Sequence, residues 1–96
     1  MQYLVVLRRR TEDYTDSQFA ELVEAEVQAA RKLYTENVVR QIWHRADVPG
    51  ACMLFEAASQ EEVEKALQTL PLFQKNMLEL VILVPLKPYA GFAPGR

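Results

Sequence analysis

The segment Met77–Val84 carries apolar side chains at seven of its eight positions. Because side chains alternate between the two faces of a β-strand, a strand here is apolar on both faces. The alternation predicts one face formed by Leu78, Leu80, Ile82 and Val84, and the other formed by Met77, Val81 and Leu83. One layer of helices covers one face of a sheet, and a face that meets water normally carries polar residues. The sequence therefore predicts a second protein surface over the other face.

Two further predicted strands enlarge this apolar face. In Tyr3–Leu7 and in Ala51–Ala57, apolar residues again occupy both alternating sets. Monomers rarely expose apolar patches larger than roughly a few hundred Å², so we expect a second copy of the chain to cover the face, sheet against sheet. The alternative cover is the segment 85–96, but its twelve residues, three of them proline, are too few to span a sheet. Tyr89 and Phe92 in this segment are instead predicted to dock on a neighbouring subunit.

The order of the predicted elements is strand, helix, strand, strand, helix, strand, which is the ferredoxin-like βαββαβ arrangement. Capping-box spacing, from Thr15 to Gln18 and from Ser59 to Glu62, marks the start of both helices. Asn37 is suited to the left-handed residue that ends the first helix. The elements are strands at Tyr3–Leu7, Val38–Arg45, Ala51–Ala57 and Met77–Val84, a helix over 16–36, and a helix from Ser59 to before Pro71. This predicts one α+β domain over 1–96, with a four-stranded antiparallel sheet in its core (1–84) and an extended tail (85–96).

Composition excludes several classes of function. The net charge of −2 argues against a nucleic-acid binder, and Arg8-Arg9-Arg10 is interpreted as a solvated strand end rather than a phosphate site. One cysteine and one histidine exclude an internal disulfide and any zinc site built from several cysteines or histidines. No apolar run approaches the roughly 20 residues that span a bilayer, and no secretory leader is visible, so a cytoplasmic protein is expected.

Glu26 lies on the apolar side of the first predicted helix. At 100° per residue it falls among Phe19, Leu22, Val23, Ala30 and Leu33, which are the core-facing positions. A carboxylate aimed at the space between helix and sheet must be paired, hydrated or protonated. Its pKa is then raised, which suits a general base near neutral pH. The alternative is a buried salt bridge from Glu26 to Arg40 or Arg45.

The second strand supplies the candidate partners of this carboxylate. Arg40, Ile42 and His44 are predicted to share one face, and Trp43 and Arg45 the other. Arg40 can hold a carboxylate or a developing enolate through its planar donors. Cys52 is interpreted as a small apolar residue of the third strand.

Several of these residues form a recognisable combination. Arg40-Gln41-Ile42-Trp43, after a helix that ends Leu33-Tyr34-Thr35-Glu36-Asn37, resembles the muconolactone Δ-isomerase family, as does the later Leu70-Pro71-Leu72-Phe73. The resemblance covers nearly the whole chain. It implies a dimeric α+β barrel, as a homodimer or a larger ring such as a decamer, and a reaction that needs no cofactor and no metal.

The resemblance also implies residue roles. It implies that Glu26 is the catalytic base, which removes a proton from a small anionic lactone or another enolisable acid and returns it at another position. The predicted substrate-binding residues are Arg40, Trp43, His44, Arg45 and Phe73. The chain departs from the family pattern at His44, where the type enzymes carry arginine, and at Val48-Pro49, where they carry His-Tyr. These departures leave the substrate open.

Two other functions remain open at this stage. The first is a non-catalytic subunit of the same barrel group, which binds a small molecule or serves in assembly, with Glu26 only paired to an arginine. The second is a cofactor-independent monooxygenase or a heme-degrading relative, with His44 as the single available axial ligand.

Overall fold

The computed structural model describes residues 1–92, without the side chain of Phe92. The four strands form one antiparallel sheet in the order β2-β3-β1-β4. The elements are β1 (Gln2–Arg9), α1 (Asp16–Ala20), α2 (Val23–Thr35), β2 (Val39–His44), β3 (Gly50–Glu56), α3 (Gln60–Leu67), α4 (Pro71–Gln74), β4 (Leu78–Pro85) and a 3-10 turn (Ala90–Phe92). The predicted ferredoxin-like α+β fold is thereby confirmed. Among the helices of residues 1–92, none is long and apolar enough to cross a membrane.

The first predicted helix is divided into α1 and α2. Thr15 and Gln18 form the predicted capping box, which fixes the start of α1. The backbone N–H of Leu22 donates to the carbonyl of Phe19, only three residues earlier, so the helix tightens and ends there. At the far end of α2, Asn37 has a φ of 62° and is the expected left-handed residue. The prediction of one continuous helix over 16–36 was therefore wrong at Glu21 and Leu22.

The hydrophobic core lies between the helices and one face of the sheet. Tyr3, Val5 and Leu7 of β1 pair with Phe55, Met53 and Ala51 of β3, and most of these side chains are buried. Gly50 opens β3 against β1, where a Cβ would collide with the carbonyl oxygen of Leu7. The close pairing of these strands at the end of the hairpin therefore requires glycine.

The other sheet face, here called the open face, is apolar as predicted. It carries Leu4, Val6, Trp43, Cys52, Leu54, Ile82 and Val84, which stand on the side opposite the core. Trp43 is 47% exposed, Ile82 45% and Val84 37%. The described part of the tail therefore leaves these side chains uncovered, and Phe92, predicted to anchor a neighbouring subunit, has its side chain outside the described residues.

A β-bulge in β4 changes which residues share a face. Val6 pairs with Ile82 but the next residue, Leu7, pairs with Leu80, so Val81 is an extra residue. Leu80 consequently lies on the side of the core, whereas Ile82 and Val84 lie on the open face. The expectation that Leu78, Leu80, Ile82 and Val84 share one face was wrong because strict alternation does not continue through a bulge.

Candidate active site

A cavity of about 400 Å³ lies between α2, α4 and the core-facing side of the sheet. Its walls are mainly apolar, with Leu7, Ala51, Met53 and Leu72 among them. Polar and charged groups reach it from several elements: Arg9, Glu26, Arg31, Tyr34, Gln41 and His44. An apolar pocket with a few convergent polar groups is the usual form of a small-molecule site.

Glu26 points into this cavity, as its position on the helix predicted. Its side chain is half-buried, and its Oε1 accepts a hydrogen bond from the backbone N–H of Leu72 at 3.0 Å. Leu72 lies in the first turn of α4, where Leu70 provides no side-chain cap. Glu26 therefore supplies a cap to a helix from which it is distant in sequence.

The environment of Glu26 alters its protonation. Burial raises the pKa of the Glu26 carboxyl above its ordinary value, because the apolar surroundings disfavour the charged form. The Leu72 N–H and the positive charge of Arg9 act in the opposite direction and hold the pKa down. The result is a carboxylate that is more basic than an exposed one and is placed beside an open volume.

Besides Arg31, sequence reasoning missed a second charged residue of this cavity, Arg9. It follows Tyr3, Val5 and Leu7 at the same spacing in β1, so its side chain lies on the core side of the sheet. Its guanidinium lies over the ring of Phe19, 5.0 Å from the centroid. The same alternation that placed Leu7 in the core could have separated Arg9 from Arg8, which lies on the open face and pairs with Glu12 and Glu79.

The remaining predicted site residues are not all brought together. His44 lines the cavity, next to Ile42 on the core side of β2. Trp43 is on the open face, as predicted from alternation. Phe73 packs against the core and is not among the residues that line the cavity.

The two arginines proposed to pair with Glu26 lie elsewhere. Arg40 is the extra residue of a bulge between Val39 and Gln41, and it donates to Oδ1 of Asn37 at 3.4 Å. It borders a second, smaller cavity instead. Arg45 pairs with Asp47 at 2.6 Å, which lowers the pKa of the Asp47 carboxyl to about 2. The alternative of a salt bridge from Glu26 to Arg40 or Arg45 is therefore wrong, while the substrate roles of Arg40, Trp43, His44, Arg45 and Phe73 stay predictions.

Within residues 1–92, no three His, Cys, Asp or Glu side chains are grouped so that they could hold a metal ion.

The chain is similar to known proteins in both sequence and structure. The model of the muconolactone delta-isomerase family matches residues 1–90. A solved 5-chloro-2-hydroxyhydroquinone dehydrochlorinase from Burkholderia phenoliruptrix, in complex with 2,5-dihydroxybenzoquinone, is similar with a TM-score of 0.72 and 16% identity over 91% of this chain and 94% of that chain. A search of curated proteins finds no match. The structural similarity shows a shared fold, that of the dimeric α+β barrel group.

Proposed function

Because the chain belongs to the muconolactone delta-isomerase family, we propose that it is a cofactor-free isomerase that moves a double bond in a small anionic lactone. The observation that carries the proposal is the half-buried carboxylate of Glu26 at the wall of a mainly apolar cavity. A carboxylate with a raised pKa in such surroundings is suited to accept a proton from carbon and to return it.

The reaction proceeds in two proton transfers. Ionised Glu26 removes a proton from a carbon beside the conjugated lactone, and the electron pair of the broken C–H bond delocalises into a dienolate. The protonated Glu26 then returns the proton to another carbon of the same system. The product is an isomer of the substrate and the carboxylate is regenerated, so no electron donor or acceptor is required.

The surroundings of Glu26 favour this sequence of steps. Arg9 contributes a positive charge near the carboxylate, which stabilises the negative charge of the dienolate as it develops. The Leu72 N–H fixes the position of one carboxylate oxygen and leaves the other available for the proton. Leu7, Met53 and Leu72 give the reacting carbon mainly apolar surroundings.

The size of the cavity supports a ligand with one ring. Its volume of about 400 Å³ is in the range of small-molecule pockets. The dehydrochlorinase of similar fold was solved with 2,5-dihydroxybenzoquinone, which is also a single oxygen-rich ring. This likeness supports the size and polarity of the ligand rather than the reaction.

A homodimer is part of the same proposal. The open face presents Trp43, Ile82 and Val84 to solvent in one protomer, and a second copy placed sheet to sheet removes them from water. The charged groups Arg8 and Arg45 both lie at the Gly50 end of this face and are already paired with carboxylates. A larger ring such as a decamer is then built from dimers.

The test of the proposed function is proton exchange with muconolactone. Wild type is expected to convert the compound and to incorporate solvent deuterium, and Glu26→Gln is expected to lose both activities. Glu24→Gln is the matched control, because Glu24 lies on the exposed side of the same helix and accepts a hydrogen bond from the side chain of Gln28. Equal exchange rates in wild type and Glu26→Gln would remove Glu26 from the mechanism.

The alternative is a non-catalytic subunit in which Glu26 serves only to cap α4. The hydrogen bond to Leu72 favours this reading, since it gives Glu26 a structural role without any substrate. Glu26→Gln retains an oxygen acceptor for the Leu72 N–H but has no basic carboxylate. Binding of muconolactone by wild type without turnover or exchange would support the non-catalytic subunit.

A further inference from the structure

We propose that Arg9 binds the carboxylate of the ligand and makes the cavity selective for carboxylate anions over their neutral esters. The inference deepens the proposed function, on which it rests for the identity of the ligand. This role is assigned to a residue of β1, whereas the sequence predicted Arg40 of β2 as the residue that holds a carboxylate.

The charges around the cavity are not balanced. Two guanidinium groups, Arg9 and Arg31, line it against one carboxylate, Glu26. Within residues 1–92 neither arginine forms an ion pair, since the four ion pairs there involve the N-terminus, Arg8 twice and Arg45. One positive charge of the two arginines is therefore left without a counterion among the lining residues. A ligand with one carboxylate group supplies it.

Of the two arginines, Arg9 is better placed to bind an anionic ligand. Arg31 is exposed on α2, where water screens its interactions. Arg9 is partly buried at the end of β1, so its attraction to an anion is stronger than it would be in water. Its planar guanidinium also matches the two oxygens of a carboxylate.

The guanidinium of Arg9 is held before any ligand arrives. Its central carbon lies 5.0 Å from the ring centroid of Phe19, which is 2% exposed and therefore fixed in the core. The backbone N–H of Arg9 donates to the carbonyl of Pro49 at 2.9 Å, which fixes the end of β1 against the hairpin. A donor group that is already ordered loses little entropy when it binds a ligand.

Arg9 and Glu26 border the same cavity. Arg9 influences the charge of Glu26 but forms no ion pair with it. Neither charged group is therefore neutralised by the other, and both remain available to a ligand. A lactone ring between them places its carboxylate at Arg9 while a ring carbon faces Glu26.

The experiment measures binding by calorimetry, with the ring-saturated analogue of muconolactone and its methyl ester as probes, because these have no ring double bond to move. Wild type is expected to bind the acid at least about tenfold more tightly than the ester. Arg9→Gln is expected to lose this preference by weakening the acid and leaving the ester unchanged. Arg9→Lys, which keeps the charge without the planar donors, is expected to retain part of it.

Matched controls separate the site from general charge. Lys32→Gln removes an exposed positive charge from α2 next to Arg31 and is expected to leave the preference intact. Lys65→Gln is expected to do the same, because Lys65 is exposed on α3 and does not line this cavity. Urea unfolding of each variant establishes that it is folded.

The outcomes distinguish this proposal from the proposed function. A wild-type protein with no preference for the acid, or an Arg9→Gln variant that keeps the preference or weakens both probes equally, overturns the role of Arg9. A preference that depends on Arg9 in a protein that neither isomerises muconolactone nor exchanges its protons supports the binding role and contradicts the isomerase. Turnover that depends on Glu26, together with an acid preference that does not depend on Arg9, supports the isomerase and contradicts the binding role of Arg9.

Discussion

The carboxylate of Glu26 accepts a hydrogen bond from the backbone N–H of Leu72 at 3.0 Å, across a separation of 46 residues in the sequence. This contact joins α2 to the first turn of α4. The carboxylate also borders the main cavity, so one side chain contributes both to the fold and to the candidate site.

Replacement of Glu26 by alanine is expected to reduce stability. Glu26→Ala leaves the Leu72 N–H without its acceptor, which costs about 1–3 kcal/mol for a buried group. Because Glu26 is half-buried and its ionised form is itself disfavoured there, we expect about 1 kcal/mol, the lower end of that range. Urea unfolding at pH 7 measures the change, with Glu24→Ala as an exposed control expected within about 0.5 kcal/mol of wild type. Equal stability of Glu26→Ala and wild type would show that the cap contributes nothing.

The stability of wild type relative to Glu26→Gln is expected to fall as the pH rises. The pKa of Glu26 is raised in the folded protein above the 4.5 of the free carboxyl. Between these two values the folded state binds more protons than the unfolded state, so the free energy of unfolding decreases with increasing pH. Glutamine has no such titration, and the other groups that face the cavity, such as His44 and Arg9, are common to both proteins. A difference in the free energy of unfolding between the two proteins that stays constant over about four pH units, from pH 4 to 8, would contradict the raised pKa of Glu26.

Loss of the Arg9 charge is expected to raise the pKa of Glu26 further. Arg9 favours the ionised carboxylate, so Arg9→Gln removes a contribution that lowers the pKa. The measurement is an NMR titration of the Glu26 side-chain carboxyl carbon in both proteins. Lys32→Gln, which removes a charge outside the cavity, is the control and should leave the titration where it is. A lower pKa in Arg9→Gln would be incompatible with the arrangement described.

A charge on the open face is expected to dissociate the proposed dimer. Ile82→Glu places a carboxylate at the centre of the apolar strip beside Val6, where pairing of two sheets would bury it at high cost. Sedimentation velocity is expected to show a homo-oligomer for wild type and monomers for the variant. Val48→Glu, at an equally apolar and exposed residue of the β2–β3 turn, should leave the oligomer intact. A monomeric wild type would contradict the proposed pairing itself.

The sequence predicted the arrangement of the fold because its signals are local. Thr15 and Gln18 cap α1, and Asn37 ends α2 with a positive φ. These positions depend on neighbours a few residues away. The apolar character of both sheet faces was likewise available from the alternation of residues in β1, β3 and β4.

The inward direction of Glu26 was also available from the sequence, because one turn of helix fixes which residues share a face. The partners of Glu26 were not available in this way. Arg40 was a predicted partner of Glu26 because alternation placed it with Ile42 and His44. It is instead the extra residue of a bulge and donates a hydrogen bond to Asn37. A bulge changes the face of a side chain without a clear signal in the residues themselves.

Secondary-structure periodicity therefore determined the order of the strands and helices and the buried side of most of them, but neither the break of the first helix at 21–22 nor the bulge in β4. Only the tertiary structure decided that the Leu72 N–H and the Arg9 guanidinium, from α4 and β1, are the groups around Glu26. The physical reason is range: periodicity follows from the geometry of a single element, whereas the surroundings of a carboxylate depend on how distant elements pack together.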